Sequence, residues 1–357
     1  MTLSTLKDRD AIVTRNNMIF RVYGYSHPSA GYICDPEYAP ASIYRSNEPR
    51  AVREKHGQTY YKFYSDEGLR FVREKSPEFL IWYRPLRARL VGVKKEQIAE
   101  KRLPQEALKN LLARQKSDQL LEALQLLVDI AKTRSTLLTS DFGAFGSLLH
   151  DFYHPSFSDL DLTINGRNEL KTLRGTLATI YQEENSPLRN EFDTMESVAK
   201  KDWKFKNFSL SEYVWHQERK QVYAVLDCGK SRRTIKAEFE PVKRRKEIRS
   251  EDLDDVRIRS KGWTKILARV TDDADAPFMP SIYQIEPEEA LEGPKVDGIR
   301  QIVSFVEEFR LQAQKDELIL VEGNLEEVDT AGHSFNQISL TYCPRYYEQV
   351  LKVVEMR

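Results

Sequence analysis

Apolar residues recur at helical spacing in one segment near the middle of the chain. They are Leu120, Leu121, Leu124, Leu127, Val128 and Ala131. This spacing places them in one stripe and predicts an amphipathic helix from about Ser117. A second helix is predicted to begin at Ser65-Asp66-Glu67, because Ser is a favoured N-cap and early acids suit the helix dipole, and to stop before Pro77.

Alternation of apolar and polar residues predicts strands on both sides of the pair Gly146-Ser147. A strand-like stretch at 136–145 leads into the pair, and residues 158–164, SDLDLTI, alternate with a period of two. A further strand is predicted at 234–239, where apolar residues share one face, and Pro241 is expected to end it.

Both ends of the chain are predicted to be rich in short strands. Near the start, strands are expected at Ala11–Thr14 and Met18–Tyr23, around the turn-forming pair Asn16-Asn17. The final segment is expected to form antiparallel strands at Ile299–Phe309, Glu317–Val328 with an interruption at Gly323, and Phe335–Tyr342. These patterns predict an α+β protein with a small mixed N-terminal module at 1–104, a central domain at 105–265 and an antiparallel OB-like β-barrel at 266–357.

Composition narrows the class of protein. The chain has 357 residues, which favours several domains over one core, and its 55 basic and 55 acidic residues leave no net charge to attract nucleic acid or membrane. Three distant cysteines form no CxxC pair, which argues against a zinc site and fits a reducing cytoplasm. The absence of an apolar leader or of a long apolar run predicts a cytoplasmic protein that does not bind membranes.

The strand at 158–164 carries a candidate metal site. Asp159 and Asp161 are separated by one residue, so on a strand both point to the same face, while Leu160 and Leu162 point to the core. Two carboxylates suit Mg²⁺, which keeps its remaining positions for water and substrate phosphates. Mn²⁺ is the alternative ion.

The residues before this strand suit the phosphates of a nucleotide. Gly146 lets a phosphate approach the backbone, and Ser147 adds a hydroxyl and an amide. In-line displacement at the α-phosphate favours two metals and therefore a third acid. Glu238 is the first choice, and Glu240 and Asp227 are the alternatives. The pair Arg219-Lys220 is a candidate contact to the triphosphate, with a plain helix terminus as the competing interpretation.

The combination of Gly146-Ser147 with Asp159-Leu160-Asp161-Leu162 resembles the signature of the DNA polymerase β nucleotidyltransferase superfamily. The segment 238–241, EFEP, resembles the third-acid strand of archaeal CCA-adding relatives, with Glu where Asp is usual. The stretches 19–28, 60–64 and 268–273 resemble a group of predicted archaeal nucleotidyltransferases. The resemblance implies a central mixed sheet with helices, of the polymerase β type.

The residues and the resemblance together predict a Mg²⁺-dependent nucleotidyltransferase. It would move a nucleoside monophosphate from a nucleoside triphosphate to an acceptor hydroxyl and release pyrophosphate. RNA is the preferred acceptor, and a small molecule or a protein side chain are the alternatives. The competing hypothesis is a non-catalytic nucleic-acid-binding or scaffold protein that keeps the fold.

Overall fold

The protein has a mixed α+β fold with three sheets, which confirms the predicted class. The computed structural model describes residues 6–55, 57–115, 118–193, 204–229, 233–249, 253–294 and 296–354. The chain divides into two compact units. Unit 1 comprises Met1–Tyr83, Arg87–Leu188 and Ala224–Glu251, and unit 2 comprises Arg84–Leu86, Arg189–Tyr223 and Asp252–Arg357.

The first sheet belongs to unit 1 and has eight strands. They are β1 (Ala11–Thr14), β2 (Ile19–Val22), β3 (Gly31–Pro40), β4 (Val52–Lys55), β5 (Gln58–Lys62), β6 (Leu80–Tyr83), β7 (Ala88–Lys94) and β8 (Ile98–Arg102). β1 and β2 pair antiparallel around the predicted turn, where Asn17 has a φ of 64°. The two predicted strands at the start of the chain are therefore confirmed.

The second sheet has five strands in the order β11-β12-β13-β10-β9. They are β9 (Phe142–Ala144), β10 (Leu160–Asn165), β11 (Leu188–Asn190), β12 (Tyr223–Asp227) and β13 (Thr234–Val242). β10 runs antiparallel to β9 and parallel to β13. The prediction that Pro241 ends β13 is wrong. The fixed φ of proline suits an extended chain, and the pairing continues through Val242, whose carbonyl accepts a hydrogen bond of 2.8 Å from the amide of Gly166.

The third sheet lies in unit 2, and five of its strands pair in a ring. The strands are β14 (Arg257–Asp275), β15 (Ser281–Glu292), β16 (Ile299–Ser304), β17 (Leu318–Thr330), β18 (His333–Leu340) and β19 (Val350–Val353). The order is β14-β15-β16-β18-β17-β19, and β14 also pairs with β17, which closes the ring. Its apolar core includes Ile266, Ile302 and Leu325.

Two sequence-based expectations about the third sheet need correction. Gly323 does not interrupt β17. It lies where the neighbouring strand comes close, since a Cβ at this position would be 2.4 Å from Cδ2 of Leu340. The strand predicted at Ile299–Phe309 already ends at Ser304.

Six helices are described. They are α1 (Glu67–Lys75), α2 (Pro104–Leu112), α3 (Gln119–Thr133), α4 (Gly146–His150), α5 (Arg167–Ile180) and α6 (Leu210–Glu218). α3 confirms the central apolar stripe, all of whose predicted members are buried. Asp118 caps it by accepting hydrogen bonds of 3.0 Å from the amides of Leu120 and Leu121. Within the described ranges, none of these helices is long and apolar enough to cross a bilayer.

The division into units differs from the predicted domains. The predicted N-terminal module at 1–104 and most of the predicted central domain at 105–265 share unit 1. The predicted boundary at 265 and 266 falls inside β14, which runs from Arg257 to Asp275.

Candidate functional site

The two halves of the predicted motif meet at Gly146. β9 pairs with β10 so that Ala144 lies opposite Leu162, and the amide of Phe145 donates a hydrogen bond of 3.0 Å to the carbonyl of Asp161. The chain then turns at Gly146, which has a φ of +59°. A Cβ at Gly146 would lie 2.5 Å from Oδ2 of Asp161. Glycine is therefore required here both by its left-handed backbone and by the neighbouring carboxylate.

Asp159 and Asp161 are placed by the start of β10. Leu160 and Leu162 are fully buried and anchor the strand, whereas Asp159 is exposed and Asp161 is half-buried. Burial and the negative charge of Asp159 raise the pKa of Asp161, and nearby cations oppose them, which leaves the pKa at about 6. A cation bound beside Asp161 would stabilise its ionised form.

Glu238 lies beside Asp161 on the neighbouring strand. In the parallel pairing of β10 with β13, Asp161 is opposite Glu238. Paired residues in adjacent strands project from the same face of a sheet, and such strands are ~4.8 Å apart. Glu238 is half-buried between the buried residues Ala237 and Phe239. The first-choice third acid is thus on the face that carries Asp161.

The two alternative acids occupy different surroundings. Glu240 is buried and its Oε2 accepts hydrogen bonds from Nη2 of Arg9 at 2.7 Å and from Nε of Arg9 at 3.3 Å. Asp227 is exposed at the end of β12 and accepts a hydrogen bond of 2.8 Å from the amide of Gly229. Neither is opposite Asp161 in the pairing of β10 with β13, where Glu240 is opposite Thr163.

Ser147 follows Gly146 at the start of α4 and is half-buried. Its carbonyl accepts a hydrogen bond of 2.8 Å from the amide of Phe152. This bond holds the connection from α4 to β10 against the Gly-Ser turn.

The first sheet, formed by β1 to β8 and called the N-terminal sheet from here on, adds a carboxylate that the sequence did not indicate. His150, the last residue of α4, is fully buried, and its Nε2 lies 3.1 Å from Oε2 of Glu37 on β3. Its Nδ1 lies 3.1 Å from Nη1 of Arg102. Because arginine only donates, Nδ1 accepts and Nε2–H donates to Glu37. His150 therefore links α4 to β3 through a buried hydrogen bond.

The charge of Glu37 also acts on Asp161. Burial alone would raise the pKa of Glu37, but the hydrogen bond and charge of His150, together with nearby cations, lower it to about 2. Glu37 is thus ionised, and it raises the pKa of Asp161. Lys62, opposite Tyr38 in the pairing of β3 with β5, lowers the pKa of both carboxylates. Since Glu37 and Lys62 lie outside any local motif, only the folded chain brings them to Asp161.

Arg219 and Lys220 belong to unit 2 and have partners there. The guanidinium of Arg219 is 2.5 Å from Oε1 of Glu317 and stacks over the ring of Trp215 at 4.4 Å. Lys220 is buried, and its ammonium donates a hydrogen bond of 2.5 Å to the carbonyl of Glu308. Their predicted contact with a nucleotide stays a prediction.

The donor set around Asp161 fits a hard divalent cation. Asp159, Asp161 and Glu238 offer only carboxylate oxygens, and Mg²⁺ is commonly held by one or two carboxylates and substrate phosphates. Among the described residues, no three histidine, cysteine or acidic side chains are grouped closely enough to hold a metal by themselves. The arrangement therefore fits an ion that arrives with a nucleotide better than a resident metal cage.

Comparisons with known proteins find one relative along the full length of the chain. A curated protein of Methanocaldococcus jannaschii, named "Uncharacterized protein MJ1086", is 25% identical over 350 residues, which cover 97% of this chain and 98% of the relative. No protein-family model matches the chain, and no solved structure matches it. The similarity runs through both compact units, and the name of the relative states no activity.

Proposed function

We propose that this protein is a Mg²⁺-dependent nucleotidyltransferase of the polymerase β type. The observation that carries the proposal is the contact between the two halves of the motif, since the carboxylate of Asp161 lies against the backbone of Gly146. A phosphate that approaches this glycine would also be next to a carboxylate able to share a metal ion with it. The position of Glu238 opposite Asp161 gives further support.

Asp159 and Asp161 would hold the divalent cation. Bound Mg²⁺, or Mn²⁺ in its place, would neutralise the charge that develops on the phosphates during transfer. Asp161 is the more constrained of the two, because it is half-buried and Gly146 packs against it. Asp159 is exposed and comes directly before the first residue of β10.

Glu238 would take the proton of the acceptor. The acceptor hydroxyl oxygen attacks the α-phosphorus, a new O–P bond forms, and the bond from this phosphorus to the bridging oxygen breaks. Pyrophosphate leaves with the electron pair of that bond, and the hydroxyl proton passes to the carboxylate of Glu238. The backbone of Gly146 and the hydroxyl of Ser147 would hold the β- and γ-phosphates, and the nearby charge of Lys62 would attract them.

RNA is the acceptor we propose. We infer that the ring of β14 to β18 is a small OB-type barrel. In this ring β14 pairs with both β15 and β17, and β16 pairs with β18. Barrels of this type often bind oligonucleotides. This step rests on fold analogy, so a small molecule and a protein side chain remain in the experiment as acceptors.

The test is transfer of label from each of the four nucleoside triphosphates, labelled at the α-phosphate, with MgCl₂ or MnCl₂ present. Purified full-length chain is incubated with total RNA, with a mixture of small metabolites and with protein. We expect pyrophosphate release and label in RNA. Release with label in another acceptor would keep the activity and overturn RNA as the acceptor. No release with any nucleotide or metal would contradict the proposal.

Matched variants assign the activity to the site. Asp161→Asn removes one carboxylate from the site and should abolish label transfer while the chain stays folded. Glu106→Gln removes one exposed carboxylate from α2 in the same unit and should leave transfer unchanged. Equal loss in both variants, or retained transfer in Asp161→Asn, would show that the motif does not carry the activity.

The second candidate is a non-catalytic nucleic-acid-binding or scaffold protein. It is favoured by the absence, among the described residues, of a ready group of three metal-binding side chains. A gel-shift assay with RNA distinguishes the two candidates. Wild-type binding without pyrophosphate release supports the scaffold, whereas release that is lost in Asp161→Asn with unchanged binding supports the enzyme.

A further inference from the structure

A polar cavity of about 360 Å³ lies in unit 1, next to the carboxyl ends of the parallel strands β10 and β13. Its walls include residues of the N-terminal segment, of the start of α2 and of the turn before β9. Crevices at the carboxyl ends of parallel strands are common ligand sites. The volume is at the small end of the ~300 to 1,000 Å³ typical of small-molecule pockets.

The two basic groups deepest in this wall already have partners. The ammonium of Lys7 donates hydrogen bonds to Oδ1 of Asn165 at 2.7 Å and to the carbonyl of Lys243 at 2.8 Å. The guanidinium of Arg244 pairs with Asp141 at 2.6 Å and with Glu169 at 3.0 Å. A third basic residue of the wall, Arg245, is exposed to solvent. An anionic ligand would therefore have to compete with these contacts.

Two further carboxylates of the wall, those of Asp8 and Asp10, each accept one hydrogen bond from a described backbone amide. Asp8 is 1% exposed, and its Oδ1 accepts a hydrogen bond of 2.9 Å from the amide of Gly24. No described residue donates a hydrogen bond to its Oδ2. Nε of Arg9 is 3.9 Å from that oxygen, and the same guanidinium is hydrogen-bonded to Glu240. Asp10 is 2% exposed, and its Oδ2 accepts a hydrogen bond of 2.9 Å from the amide of Lys7.

A buried carboxylate that lacks a donor is costly, because it loses hydration without a matching partner. The charge of Lys7 already acts on both carboxylates and that of Arg245 on Asp10, but no described group donates to Oδ2 of Asp8. A ligand that brings N–H donors and a positive charge would supply that donor. An ammonium group offers three donors and one charge in a compact volume. A neutral hydroxyl would supply donors without the charge.

We propose that this cavity binds a small organic cation with a primary ammonium group, which the carboxylates of Asp8 and Asp10 hold. The site is separate from the proposed nucleotidyl transfer and does not depend on it. Burial raises the pKa of Asp10 to about 7, and a bound cation would favour the ionised form of Asp10.

The test is isothermal titration calorimetry of the full chain at pH 8 with 1,4-diaminobutane, whose amines are protonated there because alkyl ammonium groups have a pKa of ~10. The uncharged analogue 1,4-butanediol has the same length and serves as the matched probe. We expect saturable binding of the diamine with a stoichiometry of one and no binding of the diol. Equal binding of both probes, or no saturable binding of the diamine, overturns the proposal.

Two variants test whether the diamine binds in this cavity. Asp8→Asn should weaken diamine binding at least ~10-fold, the effect of losing a hydrogen bond between charged groups. Glu106→Gln, which changes an exposed side chain of α2 that does not line the cavity, should leave binding within ~2-fold. Unchanged affinity in a folded Asp8→Asn variant overturns the assignment. If Asp8→Asn fails to fold, the site is tested by a crystal structure of the wild type, from crystals grown with 1,4-diaminobutane. Density for the diamine beside Asp8 supports the site, and an empty cavity overturns it.

Discussion

Replacement of Gly146 by alanine tests the contact on which the proposed site depends. Gly146 has a φ of +59°, a conformation that costs an alanine ~1 to 2 kcal/mol. The added Cβ would be 2.5 Å from Oδ2 of Asp161, so this carboxylate must rotate away. An off-rotamer side chain adds ~0.5 to 1.5 kcal/mol. Together these costs predict a loss of stability of roughly 1.5 to 3.5 kcal/mol in unit 1.

Hydrogen exchange measures this loss in unit 1 alone, which matters because a chain with two units need not unfold in one step. Amides of β10 and β13 should exchange ~10- to 300-fold faster in Gly146→Ala, since ~1.4 kcal/mol corresponds to a factor of ten. Pyrophosphate release should fall at least ~10-fold, because Asp161 is displaced from the turn.

Gly175→Ala is the matched control. Gly175 is exposed in the middle of α5, and a Cβ there meets nothing within 4 Å. Alanine at such a position should stabilise the helix by ~0.5 to 1 kcal/mol and leave activity unchanged. Should Gly146→Ala match Gly175→Ala in both exchange and activity, the inferred contact between Gly146 and Asp161 would be refuted.

Three further predictions follow from buried or clustered charges. Arg9→Met removes the guanidinium that pairs with the buried carboxylate of Glu240 and should lower the free energy of unfolding by ~3 to 5 kcal/mol. Adding Glu240→Gln should restore most of this free energy in urea titrations, and no restoration would contradict the pairing. Asp10 has its pKa raised from 3.8 to about 7 in the folded chain, so its protonation favours folding at low pH, and this contribution is lost as the pH rises from about 4 to 7. At ~1.4 kcal/mol per pKa unit the loss is of the order of 4 kcal/mol. In urea titrations across this pH range, Asp10→Asn should lack this loss of stability. The same pH dependence in the variant and the wild type would count against the burial of Asp10. Lys62→Ala should raise the KM for the nucleoside triphosphate ~10-fold with Lys62→Arg closer to wild type, as expected for a charge-assisted contact; steady-state kinetics that show a fall in kcat alone would argue against a role in binding.

The sequence was informative where the signal is local. α3 follows from one apolar stripe, and β10 follows from the alternation of polar and apolar residues around Asp161. The side-by-side placement of Glu238 and Asp161 also agrees with the expected strand at 234–239. In each case neighbouring residues carry enough information, because helix and strand periodicities are local properties.

The rest depends on contacts between distant residues. Glu37 and His150 are 113 positions apart and meet only because the N-terminal sheet packs on α4. The same packing places the predicted N-terminal module and most of the predicted central domain in unit 1. Gly323 shows the limit on a smaller scale: a glycine within a strand pattern indicates either an interruption or a close neighbour, and only the position of Leu340 shows which.

The contacts of α4 with the N-terminal sheet also determine how this protein can be dissected. A fragment cut at the predicted boundaries of 105 and 265 would lose Glu37 and Lys55, which bind the side chain and the carbonyl of His150. It would also lose Tyr38 and Tyr60, whose rings pack on Phe152. Such an excised fragment would carry every residue of the Gly-Ser and Asp-x-Asp motif and still present an exposed apolar surface beside it. Transplantation of the motif into another protein therefore has to include the strands that precede it.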